Sequence, residues 1–182
     1  MIITLWGKCG AGKGTLAKNL SEILSYEIIS IGDIKRKLAL ELGMTILERD
    51  QLWRDNPEKT KEHDLKFEEY QKSLNLQSNI ILDSRLWFYC QPKAFKIFLD
   101  VDDEIGAKRV LDQKRIHDAR ESLEHVLLTN NTRNYWQQEA YLNLYDIDIF
   151  DMNHYDLVVD TSDKTPEDVS NICLQWFLNS NN

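Results

Sequence analysis

Five short runs of apolar residues, separated by longer stretches with helical spacing, dominate the hydrophobic pattern of the chain. The runs are continuous rather than alternating, which is typical of strands buried on both faces of a parallel sheet. Because helical stretches lie between them, we predict an α/β fold with three layers and a five-stranded parallel sheet. The predicted strands cover residues 2–6, 27–30, 79–83, 96–100 and 156–160.

Two of the stretches between strands are longer than one crossover helix requires. Residues 34–76 are polar and mostly helical in pattern, and residues 104–150 are helical and charged. The last helix is expected to begin at Thr165, where a capping box with Asp168 coincides with a proline at the first helical position. No linker or repeat divides the chain, so we predict a single domain over residues 1–182. Its core comprises residues 1–33, 77–103 and 151–182.

A glycine-rich segment follows the first strand directly. Residues 7–15 read Gly-Lys-Cys-Gly-Ala-Gly-Lys-Gly-Thr, and an amphipathic helix follows with Leu16, Leu20 and Leu24 on one face. A strand, a glycine-rich turn and a helix in this order form the context of a phosphate-binding loop. Glycines let successive N–H groups point inward, the helix N-terminus adds partial positive charge, and Lys13 is expected to reach the β- and γ-phosphates. The predicted phosphate-binding residues are Gly7, Lys8, Cys9, Gly10, Ala11, Gly12, Lys13, Gly14 and Thr15.

Three of the predicted strands end in an aspartate. Ligands of such folds bind at the carboxyl ends of the strands. We therefore expect the functional site at this edge of the sheet, where Asp83, Asp100 and Asp160 would lie beside the glycine-rich loop.

Composition and charge narrow the class of protein. With 182 residues, 42% of them hydrophobic and 29% charged, the chain suits one globular domain. Its net charge of −8 argues against general nucleic-acid binding, which needs a basic face. No apolar run approaches the roughly 18–20 residues that span a membrane, and the chain starts directly with a strand, so neither a membrane nor a signal peptide is expected. Cys9, Cys90 and Cys173 are far apart and odd in number, which suggests free thiols in a cytoplasmic protein.

Several segments along the chain carry a resemblance to one family. They are Gly12-Lys13-Gly14-Thr15, Ser30-Ile31-Gly32-Asp33-Ile34-Lys35-Arg36, Asn56-Pro57-Glu58 followed by Asp64, Asp83-Ser84-Arg85-Leu86, and residues 141–149 and 155–162. In this order and at this spacing they resemble the short archaeal-type cytidylate kinases, which belong to the P-loop nucleoside monophosphate kinases. By this resemblance residues 34–76 are a helical region that binds the monophosphate, and residues 104–150 are a helical lid.

The resemblance implies a monomeric, ATP-dependent kinase that transfers the γ-phosphate of ATP to CMP or dCMP with Mg²⁺ as cofactor. Phosphoryl transfer depends on positioning and on cations that neutralise the transferred group. Arginine suits this task because its planar fork binds phosphate bidentately. The implied catalytic residues are Lys13 on the donor side, Arg36 and Arg85 on the acceptor side, and Arg109, Arg115 and Arg133 in the lid.

The acceptor and metal sites follow from the same resemblance. Asp64 is expected to accept a hydrogen bond from the exocyclic amine of cytosine. Asp83 is expected to orient Mg²⁺ through water, since this ion keeps several waters in such sites. The residues implied in substrate binding are Gly32, Asp33, Arg36, Asp64 and Arg85.

Three positions depart from the pattern of the family. Ala140 stands where the family usually has arginine, Thr60 where a second aspartate is expected, and Gly106 near the place of an arginine early in the lid. The losses at Ala140 and near Gly106 keep open the interpretation as a nucleotide-binding protein with weak or no kinase activity. An adenylate kinase-like or small-metabolite P-loop kinase is a further open interpretation.

Overall fold

The computed structural model describes residues 1–45, 48, 51–52, 55–74, 79–85, 90–112 and 122–180. Five strands form one parallel sheet in the order β2-β3-β1-β4-β5, which confirms the predicted fold class. The bounds of each strand lie within one residue of those predicted. The strands are β1 Ile2–Gly7, β2 Glu27–Ser30, β3 Ile80–Asp83, β4 Phe95–Asp100 and β5 Leu157–Asp160.

Six α-helices with defined bounds pack around this sheet in the described part of the chain, and a 3₁₀-helix over Met152–His154 precedes β5. They are α1 Lys13–Leu24, α2 Ile31–Glu41, α3 Pro57–Ser73, α4 Asp103–Asp112, α5 Leu123–Tyr145 and α6 Pro166–Asn179. The start of α6 is as predicted: the Thr165 hydroxyl accepts from the Asp168 N–H at 3.1 Å, and the Asp168 carboxylate accepts from the Thr165 N–H at 3.0 Å. Among the described helices, none combines the length and the apolar character that crossing a bilayer requires.

Strand β1 lies at the centre of the core because its side chains alternate between the two faces of the sheet. Ile3 and Leu5 belong to a buried cluster with residues of α1 and α6. Ile2 and Trp6 belong to a second cluster with residues of α2 and α5, where the Trp6 ring centre lies 5.1 Å from that of Phe98. All six residues of β1 are buried, so the loop that follows this strand begins from a fixed point.

The carboxyl ends of the strands lie at one edge of the sheet. Ser30 of β2 pairs with Asp83 of β3, and Asp100 of β4 pairs with Asp160 of β5. These strand ends lie beside the glycine-rich loop that leaves β1 after Gly7. The expected edge therefore carries both the loop and the three aspartates.

Candidate active site

Glycines curl the backbone of the phosphate-binding loop. Gly10 and Gly12 have φ angles of 79° and 89°, a region that residues with a side chain disfavour. A Cβ atom on Gly7 would lie 2.1 Å from the carbonyl oxygen of Leu99, so the loop also needs glycine where it leaves the sheet. Gly12 directly precedes α1, and the N–H groups in the first turn of a helix are open to an anion. This backbone form suits a bound phosphate.

The ammonium group of Lys13 is held by the start of the loop. It donates hydrogen bonds to the carbonyl oxygens of Gly7 at 2.7 Å and of Lys8 at 2.8 Å. Burial is the main reason that the pKa of Lys13 is lowered from its ordinary value. A charge held in such surroundings is favourable only beside groups that compensate it, and a phosphate would be such a group.

Predicted site residues from three parts of the chain affect the charge of this lysine. Burial lowers the pKa of Lys13 most, Cys9 and Asp83 raise it, and Arg85 and Arg133 lower it further by repulsion. Asp83 is the last residue of β3, Arg85 follows the same strand, and Arg133 lies on α5 in the predicted lid. The charge of this lysine is therefore affected by one carboxylate and two guanidinium groups that belong to distant parts of the sequence.

Asp83 is half-buried and joined to the end of β2. Its carboxylate accepts from the Ser30 hydroxyl at 3.4 Å, and the same hydroxyl oxygen accepts from the Asp33 N–H at 3.2 Å as the N-cap of α2. In the part of the chain that the structure describes, no group of three or more His, Cys, Asp or Glu residues forms a metal cage. Mg²⁺ usually binds through one or two carboxylates together with substrate phosphates and water. The carboxylate of Asp83 fits an ion of this kind that arrives with a nucleotide.

The predicted acceptor residues are only partly described. Gly32, Asp33 and Arg36 lie in the first turns of α2, where Arg36 Nε donates to Asp33 Oδ1 at 3.2 Å. Both side chains of this ion pair are at least half exposed, so Arg36 is held by its own helix in this structure. Asp64 lies on α3, but its side chain is outside the described residues, and Arg115 is outside them altogether.

Arg109, expected to contact the transferred phosphate, is bound to the loop between β5 and α6. Its guanidinium donates to the Thr161 hydroxyl at 3.1 Å, to the Thr161 carbonyl oxygen at 2.7 Å and to the Ser162 carbonyl oxygen at 3.2 Å. It lines a cavity of about 240 Å³ whose other walls come from the phosphate-binding loop, from α1, and from Lys164 and Pro166. Arg109 therefore lies beside the phosphate-binding loop.

Sequence reasoning found the loop residues and Arg109 that line this cavity and missed the lining residues from the β5–α6 loop and α6. Thr161 belongs to the segment 155–162 that carried the family resemblance, and that was the available signal. Lys164 and Pro166 gave no functional signal, because the pattern around them marks only the start of a helix. Their place in the wall depends on how α6 packs beside the loop.

A buried polar network fixes the segment after β3. The Ser84 hydroxyl donates to the side-chain oxygen of Gln71 on α3, and Gln91 donates to the backbone carbonyl oxygen of Gln71 at 2.6 Å. These three polar side chains are buried. Because Ser84 lies between Asp83 and Arg85, the network holds two site residues against α3. No local sequence pattern indicated it.

The sheet order, the glycine-rich loop and the charged residues around Lys13 define a P-loop phosphotransferase. The chain matches the AAA domain family over residues 3–137. It is 35% identical to the cytidylate kinase of Methanocella arvoryzae over 173 residues, and this similar region covers 94% of each chain. The chain belongs to the cytidylate kinases within this family, and its activity is that of a nucleoside monophosphate kinase.

Two further similarities concern a longer protein and the fold. The S-adenosylmethionine-dependent nucleotide dehydratase of Lacinutrix mariniflava is 33% identical over 180 residues, which are 98% of this chain and 36% of that protein. This chain thus spans about a third of the length of that relative. The shikimate kinase structure from Bacteroides thetaiotaomicron superposes with a TM-score of 0.62 at 15% identity and covers 98% of each chain. At this identity the likeness supports the fold alone.

Proposed function

We propose that this kinase transfers the γ-phosphate of ATP to CMP or dCMP and releases ADP. The observation that carries the proposal is the phosphate-binding loop, in which Gly10 and Gly12 have positive φ angles and the carbonyl oxygens of Gly7 and Lys8 hold the Lys13 ammonium group at 2.7 and 2.8 Å. A phosphoryl group in transfer spreads negative charge over its oxygens, and cations fixed around it lower the barrier. The kinase of Methanocella arvoryzae, named a cytidylate kinase, supports the class of acceptor.

On the donor side, the loop and Lys13 would bind the phosphates of ATP. We assign the cavity beside Arg109 to the base of the donor nucleotide, because it adjoins Gly10 and Thr15 of the loop. Its volume of about 240 Å³ is below the roughly 300–1,000 Å³ of pockets that enclose a whole drug-sized ligand. A guanidinium plane can stack on an aromatic ring, and hydrogen bonds to Thr161 hold that of Arg109 in place.

Mg²⁺ bound to the ATP phosphates would neutralise charge between the β- and γ-phosphates. Asp83 is the residue that would hold this ion through water. Its hydrogen bond from Ser30 fixes one side of the carboxylate to the end of β2. Thr15 offers an exposed hydroxyl in the first turn of α1, where it would contact a donor phosphate.

On the acceptor side, Arg85 and Arg36 would bind the phosphate of CMP. The ion pair between Arg36 and Asp33 is exposed, and such pairs contribute only about 0–1 kcal/mol. A bidentate phosphate can therefore replace the carboxylate. An oxygen of the CMP phosphate then attacks the γ-phosphorus of ATP while the bond to the β-phosphate oxygen breaks. Arg133 and Lys13 would stabilise the charge on the transferred group.

The preference for cytosine rests on Asp64 of α3. A carboxylate accepts a hydrogen bond from the exocyclic amine of cytosine, but it faces repulsion from the oxygen that uracil carries at the same place. Adenine also carries an exocyclic amine, so AMP is the second acceptor in order of preference. UMP and GMP are expected to be poor acceptors.

An assay of ADP release with CMP, dCMP, AMP, UMP, GMP and shikimate as acceptors tests the proposal. We expect the highest kcat/KM with CMP or dCMP, and Lys13→Ala prepared in parallel serves as the control for contaminating kinases. A highest value with AMP would make the protein an adenylate kinase, and one with shikimate a small-metabolite kinase. ATP binding without any acceptor-dependent release of ADP would indicate a nucleotide-binding protein.

The similarity to the dehydratase of Lacinutrix mariniflava favours a particular use for the product. In that protein a segment similar to this whole chain is part of an enzyme named a nucleotide dehydratase. We propose that the diphosphate made here likewise supplies an enzyme that modifies nucleotides. With S-adenosylmethionine present and CMP as the starting nucleotide, a purified nucleotide dehydratase should form its product faster when this kinase and ATP are added. Equal rates with and without the kinase would contradict this use.

A further inference from the structure

Lys8, the second residue of the phosphate-binding loop, extends its side chain to the segment that joins β4 to α4. Its ammonium group lies 3.0 Å from Asp100 Oδ1 and 3.4 Å from Asp103 Oδ1, and it donates to the carbonyl oxygen of Val101 at 3.4 Å. Burial lowers the pKa of Lys8, but the two carboxylates raise it by more. The ammonium group of Lys8, a residue for which the sequence predicts a phosphate contact, is therefore paired with carboxylates in this structure.

The backbone of Lys8 connects this ion-pair cluster to Lys13. Its N–H donates to the carbonyl oxygen of Leu99 at 3.1 Å. Its carbonyl oxygen accepts from the Lys13 ammonium group at 2.8 Å and from the Ala11 N–H at 3.3 Å. The carbonyl group that holds Lys13 therefore belongs to a residue whose side chain is fixed by two carboxylates.

We propose that Lys8 is a positioning residue for Lys13. Its ion pairs with Asp100 and Asp103 hold the start of the loop against β4 and α4, so that its carbonyl oxygen keeps the Lys13 ammonium group in place for phosphate. Displacing a positioned group by about 1 Å can lower a rate strongly even when the fold is intact. The kinetic consequence rests on the proposed kinase activity, whereas the affinity for ATP reports on Lys8 independently of the acceptor.

Helix α4 extends this arrangement to the donor cavity. Asp103 lies in its first turn, Gly106 contacts the loop at Gly10, and Arg109 reaches both the cavity and the β5–α6 loop. One helix thus connects Lys8, the phosphate-binding loop and the wall of the cavity. A change at Lys8 should therefore affect the binding and reaction of ATP and leave the binding of the acceptor unchanged.

The test compares Lys8→Met and Lys8→Arg with the matched control Lys18→Met, which removes an exposed lysine of α1. We expect Lys8→Met to lower both kcat and the affinity for ATP about tenfold, while KM for CMP stays within about twofold of wild type. Lys8→Arg keeps the charge and should recover most of the activity, since a guanidinium group can pair with the same carboxylates. Lys18→Met should behave as wild type.

The proposal is overturned if folded Lys8→Met binds ATP and turns over like Lys18→Met. It is also overturned if Lys8→Met lowers only the unfolding temperature, because Lys8 would then be a structural residue. If Lys8→Met does not fold, Asp103→Asn is measured instead, because it removes one of the two carboxylates that pair with Lys8. This variant should bind ATP more weakly in calorimetric titration. Unchanged binding would contradict the proposal. A wild-type protein that phosphorylates no nucleoside monophosphate would refute the proposed function, while the ATP affinities would still test Lys8.

Discussion

Gly10 in the phosphate-binding loop and Gly106 in α4 are in direct backbone contact. A Cβ atom on Gly10 would lie 2.1 Å from the carbonyl oxygen of Gly106, and one on Gly106 would lie 2.6 Å from the carbonyl oxygen of Cys9. The arginine that the cytidylate kinase pattern places near position 106 has no room in this arrangement. Arg109, one turn further along α4, lines the donor cavity. The first turns of the predicted lid are therefore packed onto the loop.

Gly106→Ala should weaken ATP binding by displacing α4 from the loop. Its Cβ would also lie 3.0 Å from a methyl group of Val101, and overpacking of this kind costs about 1–3 kcal/mol. Alanine is favoured over glycine in a helix by about 1 kcal/mol. A lower unfolding temperature of Gly106→Ala would therefore have to come from the steric contact of the new Cβ atom. Calorimetric titration should show about tenfold weaker ATP binding. The control Lys108→Ala changes an exposed residue of the same helix, and equal behaviour of the two variants would contradict the expectation.

Lys13→Met should strongly lower the rate of transfer and leave the fold intact. The ammonium group donates to two loop carbonyl oxygens and is expected to stabilise the transferred phosphate. Removing one such positioned group lowers kcat by roughly 100–1,000-fold. Because burial disfavours this charge, thermal unfolding should show an unchanged or raised unfolding temperature. Turnover near that of wild type at saturating ATP would refute the role of the loop.

One of the three thiols should react with iodoacetamide in the native protein. Burial raises the pKa of Cys90 and of Cys173 to about 12, and the thiolate is the reactive form. Cys9 is partly exposed in the phosphate-binding loop, and ATP with Mg²⁺ should slow its alkylation. Intact mass spectrometry should show one adduct on the native wild-type protein and none on native Cys9→Ser. The denatured wild-type protein should carry three adducts. Faster labelling of either buried thiol would be inconsistent with the packing described.

Gln71→Leu should destabilise the protein and lower its activity together. The substitution leaves the buried Ser84 hydroxyl without its acceptor, a loss that costs about 1–3 kcal/mol. Since Ser84 precedes Arg85, kcat with CMP should also fall. Urea unfolding and the ADP-release assay measure the two effects, with Glu69→Leu on an exposed position of α3 as the control. Equal stability of both variants would show that the network contributes little.

Asp64→Ala tests the base preference that the sequence predicts. Losing a hydrogen bond to a charged group costs about 1.5–3 kcal/mol, so kcat/KM for CMP should fall roughly 10–100-fold. KM for ATP should stay unchanged, because the donor cavity is formed by other elements. Glu69→Ala, an exposed acidic residue of the same helix, controls for the loss of charge. An Asp64 variant that is unaffected with CMP would favour the adenylate kinase alternative.

The sequence by itself determined the elements that depend on neighbouring residues. Continuous apolar runs predicted the five strands, because burial on both faces of a parallel sheet removes the alternation of polar positions. The segment 7–15 predicted the phosphate-binding loop, since the conformational freedom of glycine and the open N–H groups of a helix start are local properties. Thr165 and Asp168 predicted the start of α6 for the same reason, and both capping hydrogen bonds are present.

Only the tertiary structure decided which charged residues meet. Lys8 reaches Val101 across 93 positions of the sequence, and Arg109 reaches Thr161 across 52. Such contacts depend on the order of the strands and on the helix face that packs against the loop, and neighbouring residues do not encode either. The sequence predicted phosphate contacts for Lys8 and Arg109. Only the fold shows that the Lys8 side chain pairs with two aspartates and that Arg109 lies in the wall of a cavity beside the loop. A local pattern specifies the residue types available to a site, and the packing of distant backbone segments specifies their partners.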